Sequence, residues 1–277
     1  MQLTPGWTRL RRWSSRDDAV AHGQSDSPGE RLHALAVREM RTIRRRLVAH
    51  RDLHKSIHEA RKAVRRLRAI LLLVERRLDA VSISDRALER LGDSLSAMRD
   101  AHVVIQTAAR IGALHPETDW TPVVKKLRAR CERVVEQGLS RDPDFMRRLA
   151  LLARVEAHIA TLPWGTLSAK DLDHALERGH SRVAKAEERA KRDASPDNLH
   201  RWRRRARKLR MQLDAMRNLH LADVTHDSAE KRAKALRRLV DNLGWRHDVS
   251  VLRNFVRRMT NVADKPELLA QMHAELT

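Results

Sequence analysis

The chain has 277 residues, with 57 Lys and Arg against 36 Asp and Glu, a formal net charge of +21 at pH 7. Hydrophobic residues make up 42%, too many for a disordered polyelectrolyte and enough to bury one or two cores. Few glycines, prolines and aromatics argue against a turn-rich all-β domain, and a single cysteine, Cys131, excludes an internal disulfide framework or a Cys-rich zinc module.

Residues 1–29 read as a basic N-terminal arm and linker, with Arg9, Arg11, Arg12 and Arg16 near Trp7 and Trp13, then the turn-forming HGQSDSPGE. The arm lacks the apolar centre of a secretory signal, and nowhere do about 18 uncharged apolar residues run together to cross a membrane. A soluble, cytoplasmic protein is expected. From Glu30 the period is helical. Helices are predicted at roughly 30–50, 54–79, 84–112, 121–138, 143–161, 168–192, 196–219, 228–260 and 265–276. Breaks fall at Pro116, Pro122, Pro143, Pro163, Pro196 and Pro266. Ser195 before Pro196 predicts a hydroxyl N-cap with Pro at the first helical position. The fold class is all-α.

Two stretches repeat. HEARKAVRRLRAIL from His58 aligns with HRWRRRARKLRMQL from His200 at a shift of 142 without a gap. His58, Arg61, Lys62, Arg65, Arg66 and Arg68 match His200, Arg203, Arg204, Arg207, Lys208 and Arg210. The following helix repeats at a shift of 148, where Leu88, Leu91, Asp93, Leu95 and Asp100 match Leu236, Leu239, Asp241, Leu243 and Asp248. The preceding helix repeats more weakly at 141, pairing Arg41 with Arg182 and Arg44 with Lys185. Three helices in the same order read as a duplicated unit. The expected architecture is two pseudo-symmetric helical bundles, 30–162 and 163–277.

On a helix at about 100° per residue, the shared cations surround the histidine and the shared apolar residues lie opposite. Each motif is a basic stripe backed by a core-facing one. Residues 54–78 carry 8 basic and 2 acidic residues, as do residues 195–219. Like charges at this spacing repel, so the crowding needs a reason, and a polyanionic partner supplies one. Asp93, Asp100, Asp241 and Asp248 could pair with the arginines or orient them. Neighbouring cations should keep His58 and His200 neutral, and a bound polyanion should favour their protonation.

Other chemistries find little support. His50, His54 and His58 have a metal-ligand spacing, but cationic surroundings oppose a metal and the second motif lacks the pattern, so no metal and no cofactor are expected. No Walker loop, HExxH or G-x-S-x-G stands in the chain, which argues against an enzyme. Cys131 reads as a small packing residue.

The paired H-x2-R-[KR]-x2-R-[KR]-L-R helices, each followed by L-x3-L-x3-[RH]-D at Leu91-Leu95-Arg99-Asp100 and Leu239-Leu243-His247-Asp248, resemble the CHAD family, the histidine-containing α-helical domain. The resemblance spans nearly all of 30–262, within a domain set at 30–277. It implies two helical bundles facing across a basic channel that binds inorganic polyphosphate, in a protein associated with polyphosphate granules and their proteins. The two His-centred stripes would form the site, with Arg41, Arg44, Arg182 and Lys185 as a second tier. No E-x-E-x-K strand of a triphosphate-tunnel enzyme is present, so the standalone form is expected. Polyphosphate needs many guanidinium and ammonium donors and no stacking platform, which suits an arginine-rich, aromatic-poor chain. The alternatives are a helical nucleic-acid-binding protein using the arm, and an enzyme acting on polyphosphate or a phosphorylated nucleotide.

Overall fold

A computed structural model describes residues 27–49, 51–219 and 226–276, so the arm over 1–26 lies outside the described residues. Ten α-helices follow in order: α1 (Pro28–Val48), α2 (Leu53–Val74), α3 (Val81–Ser94), α4 (Ser96–Leu114), α5 (Thr121–Arg141), α6 (Met146–Ala160), α7 (Ala169–Arg192), α8 (Pro196–Asn218), α9 (His226–Arg258) and α10 (Lys265–Ala274). Short 3-10 turns at Pro143–Phe145 and Trp164–Thr166 precede α6 and α7, and the described residues contain no strand.

Three local features depart from the sequence expectation. Helix α1 starts earlier because Ser27 and Glu30 form a capping box, with Glu30 N–H donating to Ser27 Oγ at 3.2 Å and Ser27 N–H to Glu30 Oε2 at 2.7 Å. The helix expected over 84–112 is two helices. Ser94 and Ser96 hydroxyls donate to the carbonyls of Leu91 and Gly92 at 2.8 and 3.3 Å, and Leu95 N–H closes onto Gly92 O at 3.3 Å. Short polar side chains competing for backbone in this way disfavour a helix interior. Ser195 does stand at the N-cap of α8 with Pro196 following, but its hydroxyl caps nothing and donates to Asp193 Oδ2 at 2.9 Å.

Helix α2 buries Ile57, Ala60, Val64, Leu67 and Leu71, the apolar face predicted for it. These residues join α1, α3 and α6 in the largest core, completed by Phe145, Trp164, Leu172 of α7 and Met216 of α8. A second core unites Val104, Ala108 and Ile111 of α4 with Val123 and Leu127 of α5, Val249, Leu252 and Val256 of α9, and Leu268 and Met272 of α10. A third joins Val183 of α7, Ala206 and Leu209 of α8, and Leu236 and Val240 of α9. The cores therefore do not divide at 162/163. Helices from both expected bundles share the first two: Leu172 of α7 and Met216 of α8 enter the first, and α4 packs on α9 in the second. Inside the second core, Trp120 Nε1–H donates to Gln271 Oε1 at 3.0 Å, tying the α4–α5 corner to α10. Among the described residues, no helix is long and apolar enough to cross a membrane.

Candidate functional site

With its apolar side committed to the core, α2 presents its cations on the opposite side, and that side meets α8. Just beyond the stripes the two helices touch, where Gln212 Nε2–H donates to the Ala69 carbonyl at 3.4 Å. The crossing sets Arg65 and Arg207, matched positions of the two motifs, against each other. Burial pushes the Arg65 guanidinium down to about 10, and the nearby cations Arg61, Arg99, Arg203 and Arg210 push the same way. Burial likewise takes Arg207 down to about 9, reinforced by Arg65, Arg203, Arg99 and Arg204. Both values stay above neutral pH, so these are two desolvated cations whose strongest charged neighbours are also cations. Such a cluster is held together by its scaffold and repelled within itself.

Arg61 and Arg203, matched positions of the two motifs, are accommodated at the edge of the cluster in different ways. Arg61 Nη1–H donates to the Gly92 carbonyl and Ser96 Oγ, so the α3–α4 break provides its seat. Ser96 corresponds to Gly244 at the shift of 148, and a Cβ on Gly244 would stand 2.9 Å from Arg203 Nη2. The absence of a side chain there lets Arg203 lie directly on α9. Burial lowers both arginines, offset by Asp100 and Asp93 for Arg61 and by Asp248 and Asp241 for Arg203. The four aspartates thus act on the same two positions of the two motifs, with Arg99 ion-paired to Asp100 at 3.0 Å. The Nε–H groups of Arg61, Arg65, Arg203 and Arg210 are buried without a hydrogen-bond partner. Each such donor costs about 1–3 kcal/mol.

The histidines lie exposed beside this cluster. Burial lowers His58, with Arg65, Arg99 and Lys62 adding to it and Glu59 opposing it. Burial lowers His200 too, aided by His247, Arg204, Arg203 and Arg207. His200 and His247 sit with ring centroids 5.3 Å apart.

The remaining predicted residues divide into two groups. Arg66 is clamped by buried Glu39 through bonds of 2.9 and 2.7 Å. Arg68 donates to Asp85 at 2.8 and 3.0 Å and to Glu89 at 3.0 Å. Lys62 is 3.7 Å from Glu59, Arg44 is bound to Glu156, and Arg182 lies 3.0 Å from Glu75. Arg204, Arg207, Lys208 and Arg210 make no ion pair among the described residues. Lys208 nevertheless approaches the first motif, since burial and the nearby Arg68 lower it while Asp85 raises it. Arg41 and Lys185 are exposed.

Two members of the cluster were not singled out by the sequence reading. Arg99 acts on Arg61, Arg65, Arg203, Arg207 and His58, and its matched residue His247 packs against His200. Both occupy the [RH] position of the second repeated motif, which was the available signal. A cleft of about 600 Å³ lies elsewhere, between α3 and α6, with Ile83, Ala87, Leu151 and Val155 among its lining residues. Arg90, Arg141, Arg147, Arg148, Arg154 and His158 line it too, so it is also cationic, but Arg148 there is paired with Asp142 at 2.7 Å, whereas Arg65 and Arg207 at the crossing have cations as their strongest charged neighbours.

Comparison with known proteins agrees with this architecture. The structure superposes on the crystal structure of the CHAD domain from the plant Ricinus communis with a TM-score of 0.63 and 21% identity, covering 94% of this chain and 96% of that one. It matches PptA from Streptomyces chartreusis with a TM-score of 0.63 and 15% identity, covering 91% of this chain and 95% of that one. No curated protein matches the chain. The family model for the CHAD domain matches residues 31–257, the span that holds both basic helices and the crossing between them, and the chain belongs to the CHAD family.

Proposed function

We propose that the protein binds inorganic polyphosphate by electrostatic capture at the α2–α8 crossing, without catalysing a reaction on it, and that it does so in the cytoplasm in association with polyphosphate granules. The reading rests on one observation above others: Arg65 and Arg207 face each other half-buried, and the charged groups acting on them most strongly are all cations. A phosphate chain relieves that repulsion and gives the desolvated guanidinium groups charge-assisted acceptors. Its regular charges suit the mutually acting cations Arg61, Arg65, Arg99, Arg203 and Arg207, with His58 and His200 beside them to take up protons when the chain binds. The duplication read from the sequence belongs to the same reading, since it supplies matched donors to both sides of one chain. Trp202, the aromatic residue of the stripe helices, packs toward the third core and offers bases no stacking surface.

The test is competition at physiological salt. Labelled long-chain polyphosphate on the full chain is challenged with single-stranded DNA, duplex DNA and RNA at equal phosphate concentration. Retention of polyphosphate against excess nucleic acid supports the proposal. Displacement phosphate for phosphate overturns it in favour of the nucleic-acid alternative. Salt is held fixed because a protein of this charge captures any polyanion at low ionic strength. Phosphate release from the bound chain that is lost in His58→Ala or His200→Ala would overturn the non-enzymatic part.

A further inference from the structure

At the outer end of α2, away from the arginine crossing, three residues from separate helices converge. His54 stands in the first turn of α2, His102 one turn beyond Arg99 on α4, and Cys131 on α5. Their ligating atoms all lie within 4.8 Å of one another. The His54 and His102 rings stack with centroids 4.0 Å apart and an angle of 12° between them. His54 Nδ1 is buried and has no hydrogen-bond partner. Cys131 is 3% exposed. Two imidazoles and a thiol are the ligand types of a borderline-soft divalent cation.

We propose that His54, His102 and Cys131 bind one zinc-type divalent cation, leaving one coordination position for water or an anion. Tetrahedral bond lengths would bring the three ligating atoms to about 3.3–3.6 Å from each other, a contraction of roughly 1 Å. Parallel rings cannot both direct a lone pair at one ion, so binding tilts one of them and ends the stacking. The surroundings are less hostile to a cation than the arginine cluster. Asp52 at the N-cap of α2 places a carboxylate at the helix end and acts on His102. Arg130, next to Cys131, is drawn 4.4 Å over the Phe255 ring. A buried, unpartnered imidazole nitrogen costs stability, and a metal bond removes that cost. The site borders the first stripe, since His58 acts on His102, but His58 and His200 are not among its ligands. It also has no counterpart in the second motif, where Pro196 and Ser250 occupy the positions matching His54 and His102.

The experiment uses the full chain freed of metal by a chelator. Zinc is titrated by equilibrium dialysis and cobalt(II) by absorption. One ion per chain is expected, with a thiolate-to-cobalt charge-transfer band. Cys131 is the only cysteine, so that band has one assignment. Cys131→Ser should abolish the band, and His102→Gln should weaken zinc binding by about tenfold or more. His58→Gln should leave the stoichiometry at one, which keeps the result separate from polyphosphate binding. Absence of the band from the folded wild-type chain, or its persistence in Cys131→Ser, overturns the proposal. Should a variant fail to fold, the wild type still decides: zinc must slow alkylation of Cys131 by a thiol reagent, and an unchanged rate overturns the site.

Discussion

The two basic helices carry matching cations in different company. Around α2, Glu59 approaches Lys62 and His58, Glu39 clamps Arg66, and Asp85 with Glu89 holds Arg68. The same sequence shifts put Arg201, His180, Ala233 and Arg237 at the four matching positions around α8. The first stripe is therefore largely neutralised and serves as scaffolding as well as a cationic surface. The second retains its charge, with the Arg210 Nε–H buried and unpartnered where Arg68 has two carboxylates. A repeated motif preserves positions on a helix, but the acids brought by neighbouring helices decide which cations are available to a ligand. The attraction for a polyanion should accordingly centre on Arg65, Arg207 and the second stripe, with Arg66 and Arg68 contributing mainly to stability.

The largest effect is expected where the stripes meet. Converting both Arg65 and Arg207 to Glu should weaken polyphosphate binding by about 100-fold or more, through lost attraction and added repulsion. The same change at the exposed Arg86 and Arg133 should cost only about threefold at physiological salt. Binding isotherms with circular dichroism as a fold control measure both. Equal losses would mean that net charge governs binding and the crossing does not matter.

Stability should separate the two motifs next. Arg66→Ala leaves the buried Glu39 carboxylate unpaired and should cost about 3 kcal/mol in denaturant unfolding. Lys208→Ala, the matched change, removes a cation from repulsive surroundings and should be neutral or stabilising. Similar losses from both would break the proposed division of labour. In binding, the order reverses: Arg210→Ala should weaken polyphosphate affinity by about fivefold, while Arg68→Ala should change it by less than about twofold.

Protonation gives a smaller and oppositely signed pair of effects. Burial and neighbouring cations hold His58, His200 and His247 below their ordinary value of 6.5. The free folded protein therefore binds fewer protons than the unfolded chain as pH falls through 6.5, so its stability should decline below that pH. A bound polyanion favours the imidazolium forms, so affinity should tighten between pH 7.5 and pH 5.5, roughly threefold to tenfold in all. Isothermal titration in buffers of different ionisation enthalpy would detect the accompanying proton uptake. A pH-independent affinity would remove the histidines from the site. The smallest change tests the seating of one guanidinium. Gly244→Ala places a methyl against Arg203 and should weaken binding about twofold, whereas Ser96→Ala leaves room for Arg61 and should do less.

Much of the candidate site was legible because its information is local. The 3.6-residue period separated the apolar face of α2 from its cations, and the structure buries Ile57, Ala60, Val64, Leu67 and Leu71 as that period requires. Repetition at fixed shifts identified α8 as the partner carrying matched cations. Arg99 and His247 were visible as the [RH] position of the second repeated motif but not as site residues, because only the packing of α4 and α9 turns them toward the crossing. The α3–α4 break escaped for a related reason. Serines at 94 and 96 are compatible with a helix, and only the packed Leu95 and the approach of Arg61 favour the alternative in which their hydroxyls take backbone carbonyls.

By itself the sequence determined an all-α chain, its principal helices, the face of each stripe helix turned to the core, and the family. These follow from periodicity, helix propensity and repeated spacing, which act over a few residues. Tertiary structure decided that α4 and α5 share a core with α9 and α10, that α2 and α8 meet at Arg65 and Arg207, and that His54, His102 and Cys131 converge. It also decided which cations are neutralised. Each of these depends on distances between residues tens to hundreds of positions apart, set by how the apolar faces pack, and a charge on one helix carries no record of the charge that packing will bring beside it.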